Sequence, residues 1–560
     1  MIDAIPPGLI LIAAAVALPF TRERARHALV LGAPLVVLAL VWLVGDGDAA
    51  QLEFLGWTLD PVRADPLSRL FGTIFALMAF AGGLFALHQA STLELTAALA
   101  YAGSAIGAVF AGDLLSLFVF WELMALGSAM VIFAARTPGA GASGMRYLYI
   151  HLLGGVVLMI GIIAYLRATG EVSFDALTHD GIGRWLILAG FLLNAGAPPL
   201  SAWLPDAYPE ASPSGTVFLS AFTTKTAVYV LLRGFPGEPV LIFFGLFMTC
   251  YGIIYALLEN DMRRILAYSI VNQVGFMVAA VGIGTPLALN GAASHAFAHI
   301  IYKALLLMSA GAVLYQTGRR KCSDLGGLFQ SMPLTTICGT IGALAISAFP
   351  LTSGFVTKSM INSAAADQHL TIAWFILVAA SAGVFLHAGI KFPWFVFFQK
   401  DSGLRPPDPP ANMRYAMVLF AFLCIAIGIY PAPLYAILPF PVDYHAYTPA
   451  HVVEQSQLLL FSGLAFFLML PWMKRTLTIT LDFDWLYRTG GPRLAAAMLR
   501  GWQRAGAAIA PRVQGAGRGA VGWLQRHHGP RGALARTWPA GSMVLWVGVL
   551  LAAYLIFYYV

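Results

Sequence analysis

Long apolar runs separated by short polar interruptions fill most of the chain. A scan for stretches of about 17 to 25 apolar residues, the length a helix needs to cross a bilayer, returns sixteen segments. They lie near residues 6–20, 27–45, 67–87, 94–111, 114–134, 147–167, 183–200, 214–233, 239–258, 264–283, 292–315, 332–363, 370–396, 414–438, 456–472 and 542–559. The interruptions alternate in charge. Arg22, Arg24 and Arg26 follow the first segment, and Asp46, Asp48 and Glu53 the second. Arg136 and Arg146 follow the fifth, Glu171, Asp175 and Asp180 the sixth, Arg263 and Arg264 the ninth, and Arg319, Arg320 and Lys321 the eleventh. The positive-inside rule assigns the basic loops to the cytoplasm, so both termini face outward, as an even number of crossings requires. One loop departs: Asp206 and Glu210, after the seventh segment, fall on the predicted cytoplasmic side. Acids weigh little in the rule, so the topology stands. The first run ends at Pro19 and a basic cluster, lacks the charged start of a signal peptide, and reads as a retained helix.

Two segments break inside their apolar stretch. Ala197-Pro198-Pro199-Leu200-Ser201 closes the seventh, and Phe349-Pro350-Leu351-Thr352-Ser353-Gly354 interrupts the twelfth. Proline removes a backbone donor and glycine relaxes the turn, so both helices should be discontinuous. Grouping segments four to eight and nine to thirteen as two five-helix units puts each break in the fourth helix of its unit. An odd number of helices reverses the second unit, giving the inverted repeat common in transporters. The expected organisation is N-terminal transmembrane helices over 1–93, a first repeat over 94–233, a second over 239–396, C-terminal transmembrane helices over 397–472, and a basic cytoplasmic amphipathic segment with a final transmembrane helix over 473–560. The fold class is an all-α integral membrane protein of about 14 to 16 transmembrane helices.

Composition excludes the soluble classes. The 560 residues are 59% hydrophobic and 11% charged, against about 25% charged in soluble domains. A water-facing surface could not be covered, and a soluble enzyme is ruled out. Thirty-three basic and 26 acidic side chains leave a net charge of +7. Cys250, Cys322, Cys338 and Cys424 lie far apart without a CxxC pair, so neither an iron-sulfur cluster nor a zinc site is indicated. The chain lacks a GxxxxGK[ST] loop, which removes the main argument for ATP-driven pumping. No cofactor and no metal is expected, and nucleic acid is not a partner.

Residues 473–538 leave the apolar regime and carry eleven basic side chains, from Lys474 and Arg475 to Arg536, against Asp482 and Asp484. Arg493, Arg500 and Arg504 share one helical face, while Leu494, Met498 and Trp502 form another. This pattern suits a cytoplasmic amphipathic helix on anionic lipid or along a neighbouring subunit, or a plain basic connector. Gly517-Arg518-Gly519-Ala520-Val521-Gly522 matches GxGxxG, but no strand precedes it, and the match is read as chance.

Ionisable groups at bilayer depth cost about 2.5 to 3.5 kcal/mol on insertion scales, so each needs a partner or a task. Glu122, in Phe120-Trp121-Glu122-Leu123-Met124, and Lys225, in Thr223-Thr224-Lys225-Thr226, both sit inside apolar segments and are natural partners. Lys358 follows the break at 349–354. Lys391 ends the thirteenth segment, where the structural reading is a side chain snorkelling to the cytoplasmic interface beside Lys400. His295, His299 and Lys303 recur every four residues as one polar stripe. Such a stripe can line a hydrated channel in which neutral imidazoles relay protons. A haem site would need a facing histidine, for which only His151 and His387 qualify.

Six motifs then occur in one order: FWELM at 120–124, AWLPDAYPEASP at 202–213, LSAFTTKTAVYVLLR at 219–233, DMRRILAYSIVNQVGF at 261–276, HAFAHIIYKALLLMSAGAV at 295–313 and FPLTSGFVTKSMI at 349–361. Together they resemble the antiporter-like membrane subunits shared by respiratory complex I and the Mrp cation/proton antiporters, most of all the Mrp D subunit. The resemblance spans roughly 65–400. It implies a bundle of 14 or so helices, with the basic segment and last helix as an extension. It also implies a buried glutamate at Glu122, a connecting lysine at Lys225, a central axis at His295, His299 and Lys303, and a terminal lysine at Lys358. The family usually has a lysine where this chain has Asn194, which cannot titrate. Either Lys225 takes that role, or the first half-channel conducts differently or not at all.

The resemblance implies a proton-translocating subunit of a multisubunit Na+/proton antiporter in a prokaryotic inner membrane. Protons would pass along Glu122, Lys225, His295, His299, Lys303, Lys358 and Lys391, beside other membrane subunits. The alternatives are a pump subunit of a complex I-like quinone or ferredoxin oxidoreductase, whose redox centres lie in other chains, and a non-conducting structural subunit.

Overall fold

The computed structural model describes residues 6–471, 482–537 and 539–559, in two compact units, Met1–Asp484 and Trp485–Val560. Lys474 and Arg475 of the basic segment lie outside the described residues. The first unit opens with α1 (Pro7–Ala17), α2 (Glu23–Leu43), a hairpin of β1 (Gly47–Phe54) and β2 (Trp57–Ala64), and α3 (Pro66–Ala86). Then come α4 (Thr92–Phe110), α5 (Leu114–Phe133), α6 (Pro138–Thr169), α7 (Ile182–Ala195), the short α8 (Trp203–Ala207) and α9 (Gly215–Leu219), and α10 (Thr223–Gly234). The second half runs through α11 (Val240–Leu258), α12 (Met262–Ile283), α13 (Pro286–Thr317), α14 (Pro333–Ile346), α15 (Ser353–Asp367) and α16 (Thr371–Val384). It ends with α17 (Ala411–Ile429), the single turn α18 (Ala432–Tyr435) and α19 (Pro449–Met469). Among the described residues thirteen helices are long and apolar enough to cross a membrane. Three shorter apolar helices, Pro7–Phe20, Ile182–Ala195 and Pro333–Ile346, account for the remaining expected segments.

Capping residues set the helix starts, and they recur. Asp113 accepts from the amides of Leu115 and Ser116 ahead of α5, and Asp261 accepts from Arg263 and Arg264 ahead of α12. Each caps an orphan helix terminus. The same two aspartates bridge to Ser173 and Lys321, just beyond α6 and α13. Both α6 and α13 have 32 residues, begin Thr-Pro with the threonine hydroxyl accepting an amide, and stop at a left-handed glycine, Gly170 or Gly318. Both α7 and α14 have 14 residues. The duplication expected from the two breaks is therefore written into the caps and lengths.

Each break is a defined backbone feature. After α7 the chain turns left-handed at Gly196 and re-enters a helix at Trp203, whose indole N–H donates to the Leu193 carbonyl at 3.0 Å. After α14, Ala348 and Leu351 adopt positive φ. The freed carbonyls of Ile346 and Ser347 accept from Lys358 Nζ at 2.9 Å and Gln455 Nε2 at 3.3 Å. Helix ends exposed at bilayer depth need such partners.

Ion pairs show which loops share a face. Arg146 grips Asp206 through two bonds of 2.7 and 2.8 Å, while Arg320 binds both Glu210 at 2.9 Å and Asp261 at 2.8 Å. Arg263 donates to the carbonyls of Pro209, Ala211 and Ser212. The acids that departed from the charge rule are thus neutralised by arginines of loops on the same side. Arg63–Asp175 at 3.2 Å and Arg184–Glu238 at 2.5 Å join the loops after even-numbered segments.

The hairpin corrects the loop expected between the second and third segments. Phe54 pairs with Trp57 and Leu52 with Leu59, around a turn in which Leu55 and Gly56 have φ of 50° and 81°. That is the two-residue geometry matching strand twist, but leucine in place of asparagine or aspartate conceals it. In the second unit, α20 (Gly491–His528) and α21 (Ala540–Tyr559) are continuous helices. The GxGxxG match falls inside α20, and α21 exposes its apolar side chains.

α12 and α13 form the enclosed centre, with α11 lying close against α12 through glycines. A Cβ on Gly275 would come 2.6 Å from the Gly245 carbonyl oxygen and 2.8 Å from the Thr249 amide. Gly275→Val is therefore expected to destabilise the protein by about 1 to 3 kcal/mol, the usual cost of overpacking. A lowered thermal midpoint in detergent, against an unchanged control at the exposed Gly501, checks it.

Candidate functional site

A row of buried nitrogen bases runs through the middle of the first unit. Lys225 is fully buried near the start of α10, and its ammonium donates to the Ser220 carbonyl at 2.7 Å and the Thr224 hydroxyl at 3.0 Å. His299 lies in electrostatic reach of Lys225 and Lys303, and neither ring nitrogen has a hydrogen-bond partner. Its ring is 6.4 Å from that of His295 and 5.2 Å from that of Tyr302. His295 Nδ1 contacts the Thr357 hydroxyl at 3.0 Å, and its Nε2 meets Gln273 Oε1 and the Tyr302 hydroxyl, both at 3.2 Å. Lys303 donates to Ser269 Oγ at 2.8 Å. Lys358 lies 5.1 Å over the Phe276 ring and caps α14.

The structure thus brings Lys225, His295, His299, Lys303 and Lys358 into the protein core, with hydroxyls, amides and carbonyls between them. None of the five meets a carboxylate in an ion pair among the described residues. A buried base whose partners are all neutral can exist with or without its proton, and neighbouring like charges disfavour simultaneous protonation. Each base of the arrangement is chemically able to take up a proton and release it again.

Two expectations change. Glu122 does not pair with Lys225 and forms no ion pair among the described residues. It lies against Gly155 of α6, half-buried, with Oε1 lacking a hydrogen-bond partner. Sequence placed both residues at bilayer depth but could not show which neighbours each one meets. Lys391 does not snorkel. It is buried and donates to the carbonyls of Ala256, Leu257 and Glu259 at 3.0, 2.6 and 2.6 Å, closing the C-terminus of α11. A cation at a helix C-terminus offsets the negative end of the dipole.

Several participants escaped sequence reasoning. Gln273, Tyr302, Thr357 and Ser269 are neutral, and nothing in composition distinguishes them from packing residues. His387 is buried, gives Nδ1 to the Gly383 carbonyl at 2.9 Å, and leaves Nε2 without a hydrogen-bond partner. It lies in electrostatic reach of Lys303 and Lys391. The sequence singles it out only as a facing histidine for haem; the structure adds that residues 385–391 form a π-helical stretch ahead of Pro393, a distortion frequent at functional sites.

The geometry can be set beside known proteins. The family model described as "NADH:quinone oxidoreductase/Mrp antiporter, TM" matches residues 111–385. The chain is 30% identical, over 60% of its length, to the A/B subunit of a probable K(+)/H(+) antiporter of Rhizobium meliloti (strain 1021). It spans only 36% of that relative's length. It is also 30% identical to the N subunit of the NADH-quinone oxidoreductase of Desulforudis audaxviator (strain MP104C), over 73% of this chain and 90% of the relative. A chain of the solved Mrp complex from Dietzia sp. DQ12-45-1b superposes with a TM-score of 0.68 at 22% identity, covering 82% of this chain and 97% of that one.

Two variants separate conduction from scaffolding. Lys391→Met leaves the α11 carbonyls without their donor and is expected to lower stability by about 1 to 3 kcal/mol, read as a lower detergent midpoint. Gly155→Ala intrudes on the Glu122 carboxylate. It is expected to lower transport by about tenfold, equivalent to about 1.4 kcal/mol in a barrier, with assembly intact on size-exclusion chromatography.

Proposed function

The chain belongs to the NADH:quinone oxidoreductase/Mrp antiporter family of membrane subunits, and on that premise we propose that it is the proton-translocating subunit of a multisubunit monovalent-cation/proton antiporter. Na+ is the favoured cation and a prokaryotic inner membrane the favoured location. The observation that carries the reading is the enclosed row Lys225, His299, His295, Lys303 and Lys358. Protons enter through one half of the duplicated bundle, pass along this row with intervening water, and leave through the other. Lysines bound only to neutral partners lose and regain protons more readily than ion-paired ones, which is what a relay needs. The R. meliloti relative, named for an antiporter, and the likeness in fold to a chain of an Mrp complex support antiport within a larger assembly.

A second reading places the same relay in a redox-driven pump, motivated by the NADH-quinone oxidoreductase relative. The electron carriers would then lie in other chains. Purification in mild detergent distinguishes the two: small membrane chains co-eluting favour the antiporter, and iron-sulfur or nickel chains favour the pump.

In everted vesicles, Glu122→Ala, Lys225→Ala and Lys358→Ala are each expected to reduce cation-driven pH changes by about tenfold or more. Unchanged transport in all three would eliminate the pathway.

A further inference from the structure

The internal duplication puts α6 and α13 in the same register, because both start at a threonine-capped proline and run 32 residues to a left-handed glycine. Thirteen residues after that proline, α13 carries His299 and α6 carries His151. Both imidazoles are buried, and both lack a hydrogen-bond partner at either ring nitrogen. Nine residues after the proline, α13 carries His295 and α6 carries Tyr147. His151 is therefore the first repeat's counterpart of the central histidine in the second.

Its surroundings suit the role. The His151 ring lies 4.0 Å from that of Tyr147 and 4.6 Å from that of Trp203, which opens α8 after the break. Asn194 of α7 is the polar neighbour that acts on the imidazole. The two are not in hydrogen-bonding geometry, however, since both Asn194 amide atoms are also buried without a partner. Ser201 Oγ, within the break, is a further buried orphan. Each such atom would cost about 1 to 3 kcal/mol if left dry. Buried polar groups of this kind ordinarily hold ordered water, which needs two to four polar partners. Beside the ring, the Tyr147 hydroxyl donates to Ser128 Oγ at 2.8 Å and lies 3.5 Å from the hydroxyl of Thr223, two residues before Lys225.

We propose that His151 is the protonatable relay group of the first repeat, working through water held between its imidazole and Asn194 in the place where the family has a lysine. The neutral ring takes a proton at its lone-pair nitrogen, becomes imidazolium, and returns to neutral by releasing one proton to the next water. Of the other titratable or charged groups, Tyr147 on its own helix touches the ring, Glu122 lies against Gly155 one turn along, Tyr208 packs on Trp203, and the Arg146–Asp206 pair lies toward the loop face. The inference rests on the proton-translocation reading and adds a residue to it.

The test uses everted vesicles containing the assembled complex and cation-driven pH change as readout. Wild type must transport, and its failure to do so would count against the proposed function itself. With wild type active, His151→Gln is expected to reduce the rate by about tenfold or more. The double variant His151→Gln/Asn194→Lys is expected to recover most of it, because a titratable amine then occupies the same pocket. A merely structural histidine would not be rescued in this way. Wild-type rates in His151→Gln, or no recovery in the double variant, would overturn the proposal. Should His151→Gln fail to assemble, Asn194→Leu decides, since it keeps the imidazole and removes its water-holding neighbour: a large loss of rate supports the relay, and an unchanged rate overturns it.

Discussion

Carrying amines and imidazoles through the core of a membrane bundle sets the terms for the rest of this structure. A charge there loses its hydration, and an isolated one would be expelled or neutralised. The protein answers with groups that tolerate either protonation state: carbonyls released by broken helices, hydroxyls one residue away, and aromatic faces. Lys358 takes the Ile346 carbonyl and the Phe276 ring, and Lys225 takes the Ser220 carbonyl and the Thr224 hydroxyl. A carboxylate partner would have fixed the proton in place. The ion pairs with fixed partners lie instead at the loop faces, as with Arg146–Asp206 and Arg233–Asp65.

The breaks serve that chemistry directly. An intact helix consumes its own carbonyls, so a lysine beside it finds no acceptor. Interrupting α14 before α15 releases the Ile346 and Ser347 oxygens into the core, where Lys358 and Gln455 use them. Structural irregularity and the lodging of a buried amine are here one feature. The π-helical turns around His387 and Lys391 belong to the same logic, with the lysine spent on closing α11 rather than on exchange.

Much of this was legible in the sequence. Apolar run length fixes spans because a lipid-depth helix has few alternatives, and prolines at 198, 199 and 350 mark the breaks because a missing donor cannot be hidden. Lys225, Lys358 and the stripe at 295, 299 and 303 stand out because ionised side chains are rare in such runs. The partners were not legible. Whether Glu122 meets Lys225 depends on the rotation of two helices, which composition does not record. Gln273, Tyr302 and Thr357 look like ordinary polar residues until packing brings them to His295. Leu55 at the hairpin turn carries no turn signal, and the likeness of 151 to 299 appears only when the shared caps align α6 with α13.

Arg320 has a mechanical consequence. Its guanidinium holds Glu210, from the end of the first repeat's broken segment, and Asp261, the cap of the second repeat's helix α12. Arg263 adds three bonds across the same seam to carbonyls at 209, 211 and 212. Transporters that rock one repeat against the other need a seam free to slide. Here the two halves are stitched at one rim, and any sliding along that seam would first have to part these arginines from their acceptors.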